Sequence, residues 1–215
     1  NFFMVFAFLF LANCATNNNS QNIVDKTPQA QDPWENFNRG TFAFNKVFDK
    51  YLLAPLAKGY RIIIPNEIRG GIRNFFSNLK EPWTSINAAL QGDFKNSGTS
   101  IMRFGLNTTV GLLGIFDVAT NLGFEKQKED FGQTLAVYGV EPGPYLVLPL
   151  LGPSTVRDAL GKVTGFVADP VTIALNKDGK ENWLWIGTAI NGIDFREQNL
   201  EKIDNLEATS VDFYA

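Results

Sequence analysis

The sequence predicts a mainly α protein, and three observations carry that prediction. Apolar and aromatic residues recur at helical spacing from Trp34 to Leu53, and again from Leu184 to Leu206. An Asp precedes a Pro at Asp32-Pro33 and at Asp169-Pro170, a pairing that opens helices. Residues 103–124 read as a third helix, largely apolar, with a narrow polar stripe.

Composition bounds the function. The chain has 215 residues, enough for one domain with a buried core. It is 45% hydrophobic and 19% charged, too apolar for a disordered chain. The net charge of −3 provides no global basic field, so no nucleic-acid partner is expected. Histidine is absent, which excludes Ser-His-Asp and Cys-His catalysis and imidazole zinc sites. The single cysteine, Cys14, excludes an internal disulfide and a multi-thiolate metal site. No cofactor and no metal are expected. The 19 Phe, against 5 Tyr, suggest contact with something apolar.

The elements follow in order. Residues 2–12 form an apolar run of about eleven residues, short for a bilayer span and right for the hydrophobic part of a signal peptide. It ends at Leu11-Ala12-Asn13-Cys14, which resembles the bacterial lipobox, with Asn13 where Gly, Ala or Ser is usual. Residues 1–13 are thus read as a signal peptide whose basic n-region is missing. Cys14 is the lipidation site, and 14–31 is a polar tether rich in Asn, Gln and Thr. Several acyl chains on one cysteine give stable anchoring where one chain is marginal. Residues 32–215 form a single domain.

Within it, a helix is expected from Asp32-Pro33 until near Pro55, and a strand or extended link at Tyr60–Pro65. A short helix is expected from Glu67 to Leu79, and another opening at Glu81-Pro82-Trp83. Phe131–Val140 is ambiguous between helix and strand, and Tyr145–Leu151 is an apolar run bracketed by Pro and Gly. A helix starts near Ser154 as its cap, another opens at Asp169-Pro170, and 183–208 reads as one long amphipathic helix. Charge is asymmetric. Residues 46–80 carry a balance of +5 and residues 194–212 one of −4, so the basic half suits anionic headgroups or an acidic partner.

No catalytic constellation emerges. Asp117 with Asp130, or Glu81 with Asp93, are candidate carboxylate pairs that no spacing forces together. Ser154 with Lys162 is a candidate Ser-Lys pair, but Ser154 is better read as a cap. The polar stripe is the more useful pattern. At ~100° per residue, Asn107, Gly114, Asp117 and Asn121 all fall within about 40° of Arg103. In a membrane such a stripe faces a protein-lined cavity, because lipid-facing charge is costly. The competing reading is a buried helix whose polar residues cap and pair locally, and Gly105, Gly111 and Gly114 weaken the helix itself.

Several stretches together resemble one family. They are Asp32-Pro33-Trp34-Glu35-Asn36-Phe37-Asn38-Arg39 with Phe44-Asn45; Asn78-Leu79-Lys80-Glu81-Pro82-Trp83; Arg103-Phe104 with Asn107-Thr108, Gly111, Gly114 and Asp117; Phe131-Gly132-Gln133-Thr134-Leu135 with Tyr138-Gly139; and Gly143–Pro149 with Gly152, Arg157-Asp158 and Asp169-Pro170. In this order, behind a lipobox, they resemble the MlaA (VacJ) family of outer-membrane phospholipid-transport lipoproteins. Asp212-Phe213-Tyr214-Ala215 looks like the start of the family's C-terminal segment. The resemblance implies a ring-like bundle of amphipathic helices lying in one membrane leaflet around a central channel. It implies a lipoprotein of the cell outer membrane, embedded in the inner leaflet and facing the periplasm. It implies passage of mislocalised glycerophospholipids from the outer leaflet to a soluble periplasmic phospholipid carrier (MlaC-like), with a trimeric porin as partner and no enzymatic activity. Arg103, Asn107, Gly114, Asp117 and Asn121 are then the expected channel lining. The alternatives are a lipid-anchored envelope hydrolase using carboxylates and a scaffold held by its lipid alone.

Overall fold

The computed structural model describes residues 32–214; the expected signal peptide, Cys14 and tether lie outside the described residues. The described part is mainly helical: α1 (Glu35–Phe48), a π-helical stretch (Asp49–Leu53), α2 (Ala54–Ile63), α3 (Asn66–Leu90), α4 (Phe94–Thr109), α5 (Val118–Asn121), α6 (Phe131–Val137), a hairpin of β1 (Tyr145–Leu148) and β2 (Gly152–Thr155), then α7 (Val156–Ala168), α8 (Pro170–Lys177), α9 (Glu181–Gln198) and α10 (Leu200–Thr209).

Two prolines expected at helix boundaries, Pro55 near an end and Pro82 at a start, do not interrupt the helical run as expected. Pro55 sits at the start of α2, directly after the π-helical stretch. Proline cannot donate a backbone bond and its ring crowds the preceding turn, and the wider π turn accommodates it while the chain stays helical. Tyr60–Ile63 is therefore helical, not a strand or link, and the chain turns extended only at Ile64. Pro82 lies inside α3, so the two short helices expected there are one helix of 25 residues. In the other direction, the long helix expected over 183–208 is two, broken at Asn199.

The packing is polar on the inside. Asn78, Glu81, Ser85 and Ala88 recur at helical spacing on α3 and are buried, as are Ser97, Ser100, Arg103 and Asn107 on α4. Ser85 Oγ lies 3.0 Å from Ser97 Oγ between the two helices. Small and polar residues on this seam let the backbones approach closely. The outward faces carry the large apolar side chains, including Ile62, Phe94, Ile101 and Leu113. This reverses the pattern of a helix packed in water.

The charge asymmetry closes on itself. Arg61 and Arg73 of the basic half pair with Glu197 and Asp194 at 2.9 and 3.1 Å, and Arg61 also pairs with Glu201. Lys46 meets Glu207 at 2.7 Å, and Arg196 meets Asp49 at 2.7 Å. Much of the basic segment is thus spent on the chain's own acidic segment instead of an outside partner.

The hairpin explains two asparagines of α1. The β1 strand pairs antiparallel with β2, Tyr145 opposite Thr155. Asn38 accepts from Val147 N at 2.8 Å and donates to Tyr145 O at 3.0 Å. Asn45, two turns on, accepts from Leu150 N at 2.8 Å and donates to Leu148 O at 2.9 Å. Side-chain amides thereby satisfy backbone groups of β1 and of the turn that follows it. Asn38→Ala should cost about 1–3 kcal/mol, because a buried N–H is left unpaired. Thermal melting in detergent and faster exchange of the Val147 amide would check it; an unchanged melt would show that water replaces Asn38.

Candidate functional site

The residues of the expected stripe come together, but not on one helix. α4 ends at Thr109, residues 110–116 reverse the chain, and α5 starts only at Val118. The reversal has two causes. Leu112, Leu113 and Gly114 adopt positive φ, +51°, +58° and +91°, a conformation that L side chains pay to enter. Gly111 has no room for a Cβ, which would sit 2.2 Å from Phe116 O. The reading of 103–124 as a single helix is therefore corrected: Gly105 stays inside α4, while Gly111 and Gly114 lie just past its end.

The turn brings Asp117 back onto α4. Arg103 Nε donates to Glu81 Oε1 at 2.7 Å and Nη2 to Asp117 Oδ2 at 3.0 Å. Its Nη1 donates to Thr120 Oγ1 at 2.9 Å and to Phe124 O at 2.5 Å. Asn107 donates to Asp117 Oδ1 at 3.1 Å and accepts from Ala119 N at 2.9 Å. The Arg103 and Glu81 side chains are each only 2% exposed. Gly114 is buried, its N–H bonded to Asn107 O at 2.7 Å, and a Cβ there would lie 2.5 Å from Asn78 Cβ. Asn121 is exposed and takes no part in the knot. Local capping and pairing thus account for Arg103, Asn107 and Asp117.

Electrostatics follow from these contacts. Burial opposes the charge of Arg103, but its bonds to Glu81 and Asp117 outweigh that and raise its pKa. Burial likewise pushes Asp117 up, yet hydrogen bonds from Thr120, Arg103 and Asn107 bring it down to about 2. A carboxylate depressed in the folded state stabilises above its unfolded pKa, ~4, and that contribution fades as pH falls towards about 2. Melting in detergent should therefore weaken between pH 4 and 2, and Asp117→Asn should flatten that part of the curve. An unaltered acid limb in Asp117→Asn would assign the loss to other carboxylates.

The two candidate carboxylate pairs are not assembled, whereas Ser154 and Lys162 do meet. Asp93 and Asp130 cap α4 and α6, accepting from Asn96 N at 3.0 Å and Gln133 N at 2.9 Å, while Glu81 and Asp117 bind Arg103. Ser154 is not the cap of α7; Thr155 is, accepting from Asp158 N. Ser154 instead accepts from Lys162 Nζ at 3.2 Å. Sequence reasoning missed Glu81 and Thr120 as members of the knot. The available signals were the helical spacing of Asn78, Glu81 and Ser85, and the Asp three residues before Thr120.

Outside the knot, the exposed surface is strongly apolar. Leu112, Leu113, Ile115 and Phe116 crowd the tip of the 110–116 turn, all exposed. No described helix is long and apolar enough to cross a membrane.

Comparison with known proteins adds to this geometry. A family model described as MlaA lipoprotein matches residues 30–215. A Rickettsia typhi protein is 42% identical over 151 residues, which span 70% of this chain and 60% of that protein's length. The intermembrane phospholipid transport system lipoprotein MlaA of Escherichia coli K12 is 36% identical over 214 residues, 95% of this chain and 78% of its own. Its Haemophilus influenzae counterpart is 33% identical over 207 residues, 91% and 77% of the two chains. A solved structure, described as the structural basis for maintenance of bacterial outer membrane lipid asymmetry, has the same fold, with a TM-score of 0.72 at 38% identity over 86% of this chain and 92% of that one.

Proposed function

The chain belongs to the MlaA lipoprotein family, and on that premise we propose that it is an outer-membrane lipoprotein that moves glycerophospholipids. In this reading it takes mislocalised phospholipids from the outer leaflet and passes them through an amphipathic channel. It hands them to a soluble periplasmic carrier, so that the membrane keeps its lipid asymmetry. A trimeric porin is the membrane partner, acylated Cys14 is the anchor, and no bond is made or broken. The helices lie in the inner leaflet as a bundle around the channel and face the periplasm.

The observation that supports this most is the inversion of the fold. Arg103, Glu81, Asn38, Asn87 and Ser100 are among its most buried side chains, while Ile62, Ile63, Phe94, Leu113, Val163 and Trp183 are exposed. In water, apolar surface of this extent is an aggregation hazard; against acyl chains it carries no penalty. Helices too short or too polar to cross fit a position within one leaflet. Among the residues expected to line the channel, Arg103, Asn107, Gly114 and Asp117 hold its wall from behind. Asn121, exposed, would present its amide to a headgroup.

The test is expression of the full chain in a bacterium lacking its own family member, with outer-leaflet phospholipid measured by digestion with an added phospholipase. The expected result is a fall in accessible phospholipid; an unchanged level sinks the transport reading. Release of fatty acid from vesicles by the purified protein would point to a hydrolase instead. A Cys14→Ala form that leaves the membrane as a soluble monomer would point to the scaffold.

A further inference from the structure

We propose that the cavity between α3, α8 and α9 is an acyl-chain site for a phospholipid, an assignment that rests on the transport reading above. The cavity has a volume of about 810 Å³, and Ile72, Phe75, Phe76, Leu175, Trp183 and Ile186 are among the side chains of its wall. That volume lies within the roughly 300–1,000 Å³ of small-ligand pockets. A wall with so few polar groups gives water no partners, whereas an apolar chain needs none.

Two glycines shape the space. A Cβ on Gly71 would stand 3.0 Å from Ile115 Cγ2, and one on Gly187 would stand 3.1 Å from Phe76 Cε1. Their bare backbones let Ile115 and Phe76 lie close against α3 and α9. Ile115 also belongs to the apolar tip of the 110–116 turn, so the cavity wall runs on into the exposed surface assigned to the leaflet.

Charge decides which acyl compound fits. Lys180 is the sole charged residue among those lining the cavity. Its pairing with Asp178 is long, 3.5 Å, with both side chains more than half exposed, and such a pair holds its charges loosely. A cation beside an apolar pocket suits a lipid with an anionic phosphodiester next to its chains.

The experiment uses the full chain in membranes and three photoreactive probes with the same mid-chain diazirine: phosphatidylglycerol, diacylglycerol and free palmitate. After irradiation the labelled peptides are mapped by mass spectrometry. The expected result is phosphatidylglycerol labelling concentrated on 72–76 and 183–190. Leu175→Trp, which fills the cavity, should reduce it about fivefold, and Ile62→Trp, on an exposed face, should not. Lys180→Glu should weaken phosphatidylglycerol labelling severalfold and leave diacylglycerol labelling unchanged. Labelling spread evenly over the exposed apolar faces in the wild-type chain overturns the site, whatever the variants do. Stronger labelling by palmitate than by phosphatidylglycerol overturns the phospholipid as its occupant. Clearance of outer-leaflet phospholipid without cavity labelling refutes this site and leaves the transport reading standing; cavity labelling without clearance does the reverse.

Discussion

Replacing Arg103 with Ala should cost about 3–5 kcal/mol, because it strands buried charge on two sides. Glu81 would keep a carboxylate that is only 2% exposed, with its ion-pair partner gone. Its Oε2 already has no hydrogen bond, and the charge of Lys126, which makes no close pair with it, is left to offset it. Asp117 would lose its ion pair, and Thr120 Oγ1 and Phe124 O their donor. Arg103→Lys should recover little, since one ammonium cannot serve acceptors spread around a planar guanidinium. The double variant Arg103→Met with Glu81→Leu should be more stable than Arg103→Ala, because it removes both buried charges and keeps the volume. Thermal melting in one detergent gives all four values. If the double variant melts below Arg103→Ala, the pair is not what Arg103 serves, and its bonds to the 117–124 segment carry the stability instead.

That knot marks where the sequence was informative and where it stopped. Arg103 and Asn107 are one turn apart on α4, so helical spacing placed them together correctly. Asp117 reaches them only because three consecutive residues turn left-handed at 112–114. Periodicity carries no information about such a reversal, although Gly111 and Gly114 signalled a weak helix. Pro55 and Pro82 misled in the opposite sense. A proline predicts a helix end from local sterics, but packing and a π-helical stretch hold both helices through. The break at Asn199 has no Pro or Gly to announce it. The charge asymmetry is legible in the sequence, but the partner of the basic segment lies within the chain, more than a hundred residues away. Asn38 and Asn45 illustrate the same limit. Their spacing puts both on one face of α1, while the strand that needs them lies more than a hundred residues on. The stretches that resemble the family were more informative than periodicity because they hold these residues: Asn38, Asn45, Asn78, Arg103, Gly111 and Asp117 each make a close or polar contact that fixes the fold.

Gly114→Ala should be nearly as damaging, at about 2–5 kcal/mol, and for a reason unrelated to charge. Its φ of +91° is open to glycine and strained for alanine by ~1–2 kcal/mol. The new methyl would also meet Asn78 Cβ at 2.5 Å and Cγ at 2.8 Å; forced overpacking of this kind costs ~1–3 kcal/mol. Asn78 cannot swing aside freely, because its Nδ2 donates to Thr108 Oγ1 at 2.8 Å. The 110–116 turn must move instead, stretching the bond from Gly114 N to Asn107 O and drawing Ile115 away from Gly71. Gly105→Ala on α4 is the control. Its Cβ would meet nothing within 4 Å, and a helical Gly→Ala change should stabilise by ~0.5–1 kcal/mol. The two variants add the same atom nine residues apart and should shift the melting temperature in opposite directions. Equal melts would mean that the turn yields without cost and that neither Asn78 nor the left-handed backbone constrains it. If Gly114→Ala instead melts low and also lowers phosphatidylglycerol labelling of 72–76, the turn that closes the Arg103 knot is the element that sets Ile115 against the cavity.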